Sequence, residues 1–201
     1  EEKVYKNQQE TIEGYGVKLY ENFYVEKALS NGSTLRIFKN REEVNKVCLM
    51  KGKMPKEIGE IAIDRMYADN NNLSVGDTLR SGKRTWKITG LVALSDYSCL
   101  FQNNNDSMFD AVKFGVSVVT EEEFDSLEQE KLQYNYSWIY DEKPKTEKEE
   151  KEVSEDLMED MGKIVTLEAF VPRYLNQAIT FTGDDMGGDK AMMIMLLYII
   201  M

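Results

Sequence analysis

Glu60-Ile61-Ala62-Ile63-Asp64 runs into Arg65-Met66-Tyr67-Ala68-Asp69-Asn70-Asn71, then Asn72-Leu73-Ser74-Val75-Gly76-Asp77-Thr78, and this passage decides the fold. The first five residues read as a strand. Arg65 to Asn71 reads as a short helix, and Asn71 to Asp77 as a turn into a strand at Thr78. Ser81-Gly82-Lys83-Arg84 is a hairpin turn. Thr85 to Leu94 runs back as one long strand, with Trp86, Ile88 and Leu91 on buried faces and Gly90 at a bulge.

Upstream, residues 1–13 are polar and read as a helix, and Tyr15 to Tyr24 as a strand through alternating Tyr15, Val17 and Leu19. Asn31-Gly32-Ser33 turns the chain into a strand at Thr34 to Phe38. Asn40 caps an expected helix through Lys46, with Glu43 at its third position, and Val47-Cys48-Leu49-Met50 reads as a buried strand. That order predicts a β-α-β unit over 34–50, followed by a loop on Gly52 and Pro55.

Downstream, Ser95 to Asp106 is a polar loop and Lys113 to Val119 a strand. Thr120-Glu121-Glu122-Glu123 is a capping box opening a helix to about Lys131. Tyr134 to Tyr140 alternates aromatic and polar residues as a strand does. After Pro144 a charged helix runs to about Met161 on an apolar stripe of Val153, Leu157, Met158 and Met161, and Gly162 ends it. Ile164 to Tyr174 is strand-like. Strands mixed with short helices, without an internal repeat, give the α+β class.

The 201 residues carry 25 lysines and arginines against 36 aspartates and glutamates, a formal charge of −11. Asp141 to Asp160 alone holds ten acids and four lysines, the pattern of a solvated helix face. An acid excess argues against a nucleic-acid partner, which needs clustered Lys and Arg. The chain has no histidine, which removes imidazole bases, His metal ligands and the Ser-His-Asp triad. Cys48 and Cys99 are too few for a thiolate zinc or iron–sulfur site, and read as two separate buried thiols, with one bridge the alternative.

The remaining motifs resolve into turns. Gly76 to Gly82-Lys83 has five intervening residues where a phosphate loop needs four, and Arg84 stands where Ser or Thr would hold magnesium. Counted as a calcium loop from Asp69, the sixth residue is Ser74 and the twelfth Arg80; from Asn103 the sixth is Met108. Neither matches the Gly and Glu that such loops use. Asn31-Gly32-Ser33, Asn105-Asp106-Ser107 and Asn135-Tyr136-Ser137 fit the short glycosylation sequon. No catalytic residue, metal site or cofactor site is expected.

The chain starts Glu1-Glu2-Lys3, with no initiator Met and no signal segment. Ala191, Met192, Met193, Ile194, Met195, Leu196, Leu197, Tyr198, Ile199, Ile200 and Met201 form an unbroken apolar run. A membrane helix needs ~20 such residues, and a helix in a globular domain keeps a polar face. The run is expected to be the start of a transmembrane helix, and the chain an excised piece of a longer membrane protein.

Two stretches together carry a family resemblance. Lys51-Gly52-Lys53-Met54-Pro55-Lys56-Glu57-Ile58-Gly59-Glu60-Ile61-Ala62-Ile63-Asp64, Leu73-Ser74-Val75-Gly76-Asp77-Thr78 and Trp86-Lys87-Ile88-Thr89-Gly90-Leu91-Val92 form the first. It resembles the course of extracytoplasmic domains of FtsX-like ABC transporter permeases, the MacB-like periplasmic core. Phe170-Val171-Pro172-Arg173-Tyr174-Leu175-Asn176-Gln177-Ala178-Ile179, Gly183-Asp184-Asp185-Met186-Gly187 and the apolar tail form the second. It is similar to the run-in to the second transmembrane helix of such permeases.

The resemblance implies a core domain over 1–183 with a strand-rich lobe inserted at about 52–110, and a juxtamembrane segment with the start of a membrane helix over 184–201. It implies a non-enzymatic role, a separate cytoplasmic ABC ATPase subunit, a second permease chain or half in a dimer, and flanking helices in the bilayer. The domain would lie on the extracellular side of a bacterial cell membrane. Relatives of this kind export peptides, extract lipoproteins or activate cell-wall hydrolases. The alternative is a secreted or anchored acidic binding module using the 141–160 helix or the Tyr134–Tyr140 strand. A hydrolase working through carboxylates alone finds no support in the residues.

Overall fold

The computed structural model describes residues 3–127 and 131–181. Its nine strands are β1 (Val17–Glu21), β2 (Tyr24–Ala28), β3 (Thr34–Lys39), β4 (Val47–Gly52), β5 (Glu60–Asp64), β6 (Thr78–Ser81), β7 (Arg84–Leu94), β8 (Phe114–Val119) and β9 (Tyr136–Tyr140). The helices are α1 (Lys6–Glu13), α2 (Arg65–Asn70), α3 (Glu121–Asp125), α4 (Glu147–Gly162) and α5 (Gln177–Thr180). The α+β class read from the sequence is the class observed.

Seven strands form one mixed sheet, ordered β2-β3-β8-β5-β7-β4, with β6 paired to β7. β5 lies parallel to β7 and antiparallel to β8, so it is covered on both edges. Four of its five residues are buried. A central strand reads as a continuous apolar run for this reason. β7 alternates buried and open positions as far as Ile88, then buries Gly90, Leu91 and Val92 in succession. The change of phase coincides with a register shift against β5, where Ile61 faces Ile88 but Ala62 faces Gly90. This is the bulge expected at Gly90, and a Cβ there would lie 2.5 Å from the Lys53 carbonyl oxygen.

Helix α2 is capped by Asp64, whose carboxylate accepts from Met66 N and Tyr67 N. It seats Tyr67, fully buried, against Gly115 of β8; a Cβ at 115 would come 2.4 Å from the ring. The parallel pair β5 and β7, joined through α2 and β6, makes the crossover of this sheet; the strand-helix-strand unit expected at 34–50 is not formed. No helix forms between Asn40 and Lys46. Arg41 is drawn into a buried ion pair and Asn45 takes a positive φ of 50°, which breaks any helical course. β4 exists, but as an edge strand exposed over Cys48 to Gly52, not the buried strand its apolar residues suggest.

The sheet curls until its far edges approach. Ser30 N donates to Arg80 O at 2.9 Å and Ser81 Oγ to Ala28 O at 2.8 Å, bringing β6 against the end of β2.

A second, two-stranded sheet pairs β1 with β9 antiparallel. One face packs on α1 and α4 through a separate small core of Ile12, Val17, Leu19, Leu157 and Met161. The stripe on α4 is shifted from the expected one: Leu157 and Met161 are buried with Ser154, while Val153 is exposed. Residues 164–174, expected as strand-like, are irregular apart from a single 3-10 turn at Arg173–Leu175. Helix α3 ends at Asp125 rather than near Lys131.

Candidate functional site

The buried ionisable groups all hold structure together. Glu123, at 1% exposure, was expected to cap its own helix. Thr120 does accept from Glu123 N, but the Glu123 carboxylate turns inward. Its Oε1 accepts from Trp86 Nε1 and Arg84 Nη1, both at 2.6 Å, and its Oε2 from Gly59 N at 2.9 Å. One carboxylate thereby ties α3 to the β6-β7 hairpin and the entry to β5. Asp64 is 4% exposed, and burial pushes its carboxyl up to about 6, against the two backbone N–H groups that pull it down.

Arg36 lies over the rings of Tyr24, Phe114 and Tyr97 at 4.2, 5.0 and 5.9 Å. It donates to Glu26 Oε1 at 2.6 Å, Tyr97 Oη at 2.6 Å and Gln102 O at 2.9 Å. Each of these pairs is satisfied in place, so the geometry serves packing rather than proton transfer.

The more informative region is the junction between the two sheets. Chain 17–28 passes from the small sheet into the large one, and residues 133–140 follow alongside. Asn22 N donates to Asn135 O at 2.7 Å, and Tyr24 bridges Gln133. Phe23 fits edge-on between Tyr134 and Tyr136, both at 5.1 Å. Beside it, Arg41 makes a bidentate pair with Asp96 at 2.7 and 2.8 Å and donates to Asn22 Oδ1 at 2.6 Å. Both partners of the pair are more than nine-tenths buried. Asn45 Nδ2 donates to Ser137 Oγ at 2.8 Å, a further link from the large sheet to the small one.

The first and last described segments converge on these same parts. Val4 N donates to Tyr136 Oη at 2.9 Å, Lys3 pairs with Glu21, and Gln8 Nε2 donates to Ile164 O at 3.1 Å. A cavity of about 500 Å³ opens there, lined by Lys3, Gln8 and residues 162–167. The chain then crosses to the loop after β7. Cys99 N donates to Ala178 O, Gln177 N to Asn104 Oδ1, and Phe181 packs edge-on to Phe101 and Phe109. The Ser95–Asp106 loop is therefore anchored from beneath by buried Asp96, Leu100 and Phe101.

The membrane residues expected at Ala191 to Met201 lie outside the described residues, as does the 184–190 segment. Among the described residues, no helix is long and apolar enough to cross a membrane. None of their Cys, Asp and Glu side chains gather in threes or more to hold a metal ion. The Asn and Asp clusters do turn chemistry: Asp106 accepts from Asn103 N, and Asn31 accepts from Ser33 N. Both cysteines are free, and Cys48 is exposed rather than buried because β4 is an edge. Sequence reasoning missed Arg36, Arg41, Asp96 and the inward turn of Glu123. Their partners lie 10 to 66 residues away, and no local pattern marks such a pair.

No family model and no curated protein matches the chain. Solved structures similar to it include the periplasmic region of MacB from Actinobacillus actinomycetemcomitans, at 13% identity and a TM-score of 0.43, covering 82% of this chain and 77% of that one. The extracellular domain of the noncanonic ABC-type transporter YknZ from Gram-positive bacteria is similar at 14% identity and a TM-score of 0.38, covering 78% of this chain and 83% of that one.

Proposed function

We propose that this chain is the extracytoplasmic domain of an ABC transporter permease of the FtsX-like kind, a mechanical element rather than an enzyme. The observation that carries the reading is the union, in one sequence, of the Lys51–Val92 course with the apolar run Ala191–Met201. The construction suits the role. A large core and a small one, joined by a paired ribbon and a buried ion pair, would transmit displacement as connected parts. The segment that leads toward the apolar run is fastened at 177–181 to the loop after β7. The domain spans 1–183, with its strand-rich lobe at about 52–110, and 184–201 carries it into the bilayer.

A cytoplasmic ABC ATPase would supply the motion, and a second permease chain or half would complete the transporter. Solubilising membranes of the source cell and capturing the gene product tests this. An ABC ATPase subunit is expected to co-purify from the membrane fraction. Recovery from the soluble fraction without an ATPase contradicts the reading.

A further inference from the structure

We infer that the outer edge of β4 is a docking site for an extended acidic segment of a partner protein, which joins the sheet as an additional strand. The inference rests on the fold alone and is independent of the transport reading. β4 pairs with β7 on one side, and among the described residues no strand pairs with the other. At the opposite side of this sheet the end of β2 meets β6, and Tyr24 of β2 bridges Gln133. An open edge presents unpaired backbone N–H and C=O groups, the template used in strand addition.

Charge identifies the occupant. From Lys46 to Lys56 the chain holds four lysines and no acid, a local +4 in a molecule of −11. Lys46, Lys51, Lys53 and Lys56 are exposed, and none of the ion pairs among the described residues involves them. Between them Leu49 is 42% and Met50 51% exposed, with Ile58 at 67% close along the chain. A register shift between Leu49 and Lys51 places Met50 in a bulge, which re-aims side chains at an edge. Lysines and a bulge on an edge also discourage self-association. A second copy is therefore a poor occupant, because antiparallel pairing of two β4 strands sets Lys46 against Lys51 or Lys53. An alternating acidic and apolar strand satisfies the lysines and covers Leu49 and Met50 together.

The test uses the 201-residue chain with a fluorescent peptide of alternating glutamate and valine, about eight residues long. Its controls are the lysine-valine counterpart, an acidic peptide N-methylated at alternate amides, and phosphatidylglycerol vesicles. The acidic peptide is expected to bind, to weaken with salt, and to bind the Lys51→Glu, Lys53→Glu double variant about tenfold more weakly. The N-methylated peptide is expected to lose binding, because it cannot complete the ladder. Equal binding of acidic and basic peptides overturns the inference, as does undiminished binding of the N-methylated one. Vesicle binding lost in the double variant, with no peptide binding, identifies a membrane-facing patch instead and also overturns it.

Discussion

At Glu123, a carboxylate with 1% exposure is surrounded by N–H groups from Trp86, Arg84 and Gly59. Removing one partner of such an arrangement strands the others away from water. Glu123→Ala is expected to cost about 3–5 kcal/mol in urea unfolding, and a loss below about 1 kcal/mol would contradict the assignment. Asp64 makes a different prediction. Its carboxyl, ordinarily near 3.8, is raised to about 6 by burial, so the fold prefers the protonated form. Its contribution is fully present below the ordinary value and is lost as pH climbs through about 6. Asp64→Asn keeps a cap acceptor without the charge. Relative to the parent it is expected to gain stability from pH 4 to pH 7, by up to about 3 kcal/mol, and to plateau above. A gain that does not change with pH would exclude the raised carboxyl.

At the scale of elements, β1 and β9 rest on α4 through Leu157 and Met161, in a core separate from that of the large sheet. Leu157→Ala is expected to cost about 2–5 kcal/mol and, in hydrogen exchange, to release β1, β9 and α4 while β5, β7 and β8 stay protected. Uniform loss of protection would show one cooperative unit instead. The same elements show what could be read in advance. β5, α2 and the β6-β7 hairpin were legible because turn residues, a cap and alternation agree over a short span. β4 was not, because Val47 to Met50 has the composition of a core strand, and only its place at the end of the sheet exposes it. Asn40 to Lys46 carries a good local cap, yet Arg41 gains more from Asp96, 55 residues away, than a short helix would return. Residues 164–174 hold β-formers but find no neighbouring strand to pair with.

For the whole molecule, the two sheets meet along a ribbon sealed by Phe23 and by the buried Arg41–Asp96 pair. Asp96→Ala leaves Arg41 buried without its counter-charge, and is expected to cost about 3–5 kcal/mol while loosening the junction first; fluorescence of Trp138 in the small sheet should shift before that of Trp86 in the large one. The candidate site was legible only in part: the apolar run and the Lys51–Val92 course are visible in sequence, whereas the junction emerges from pairings across the fold. The claim that the domain faces outward from a membrane has a native reporter in exposed Cys48. Cys99 is half-buried, and burial raises its thiol, so Cys99→Ser leaves Cys48 as the one cysteine of these 201 residues, and the Cys48→Ser, Cys99→Ser double variant gives the background. In intact cells making the full gene product, a membrane-impermeant maleimide is predicted to label Cys48 in the single variant without permeabilisation. Labelling that appears only after the membrane is opened would contradict the account.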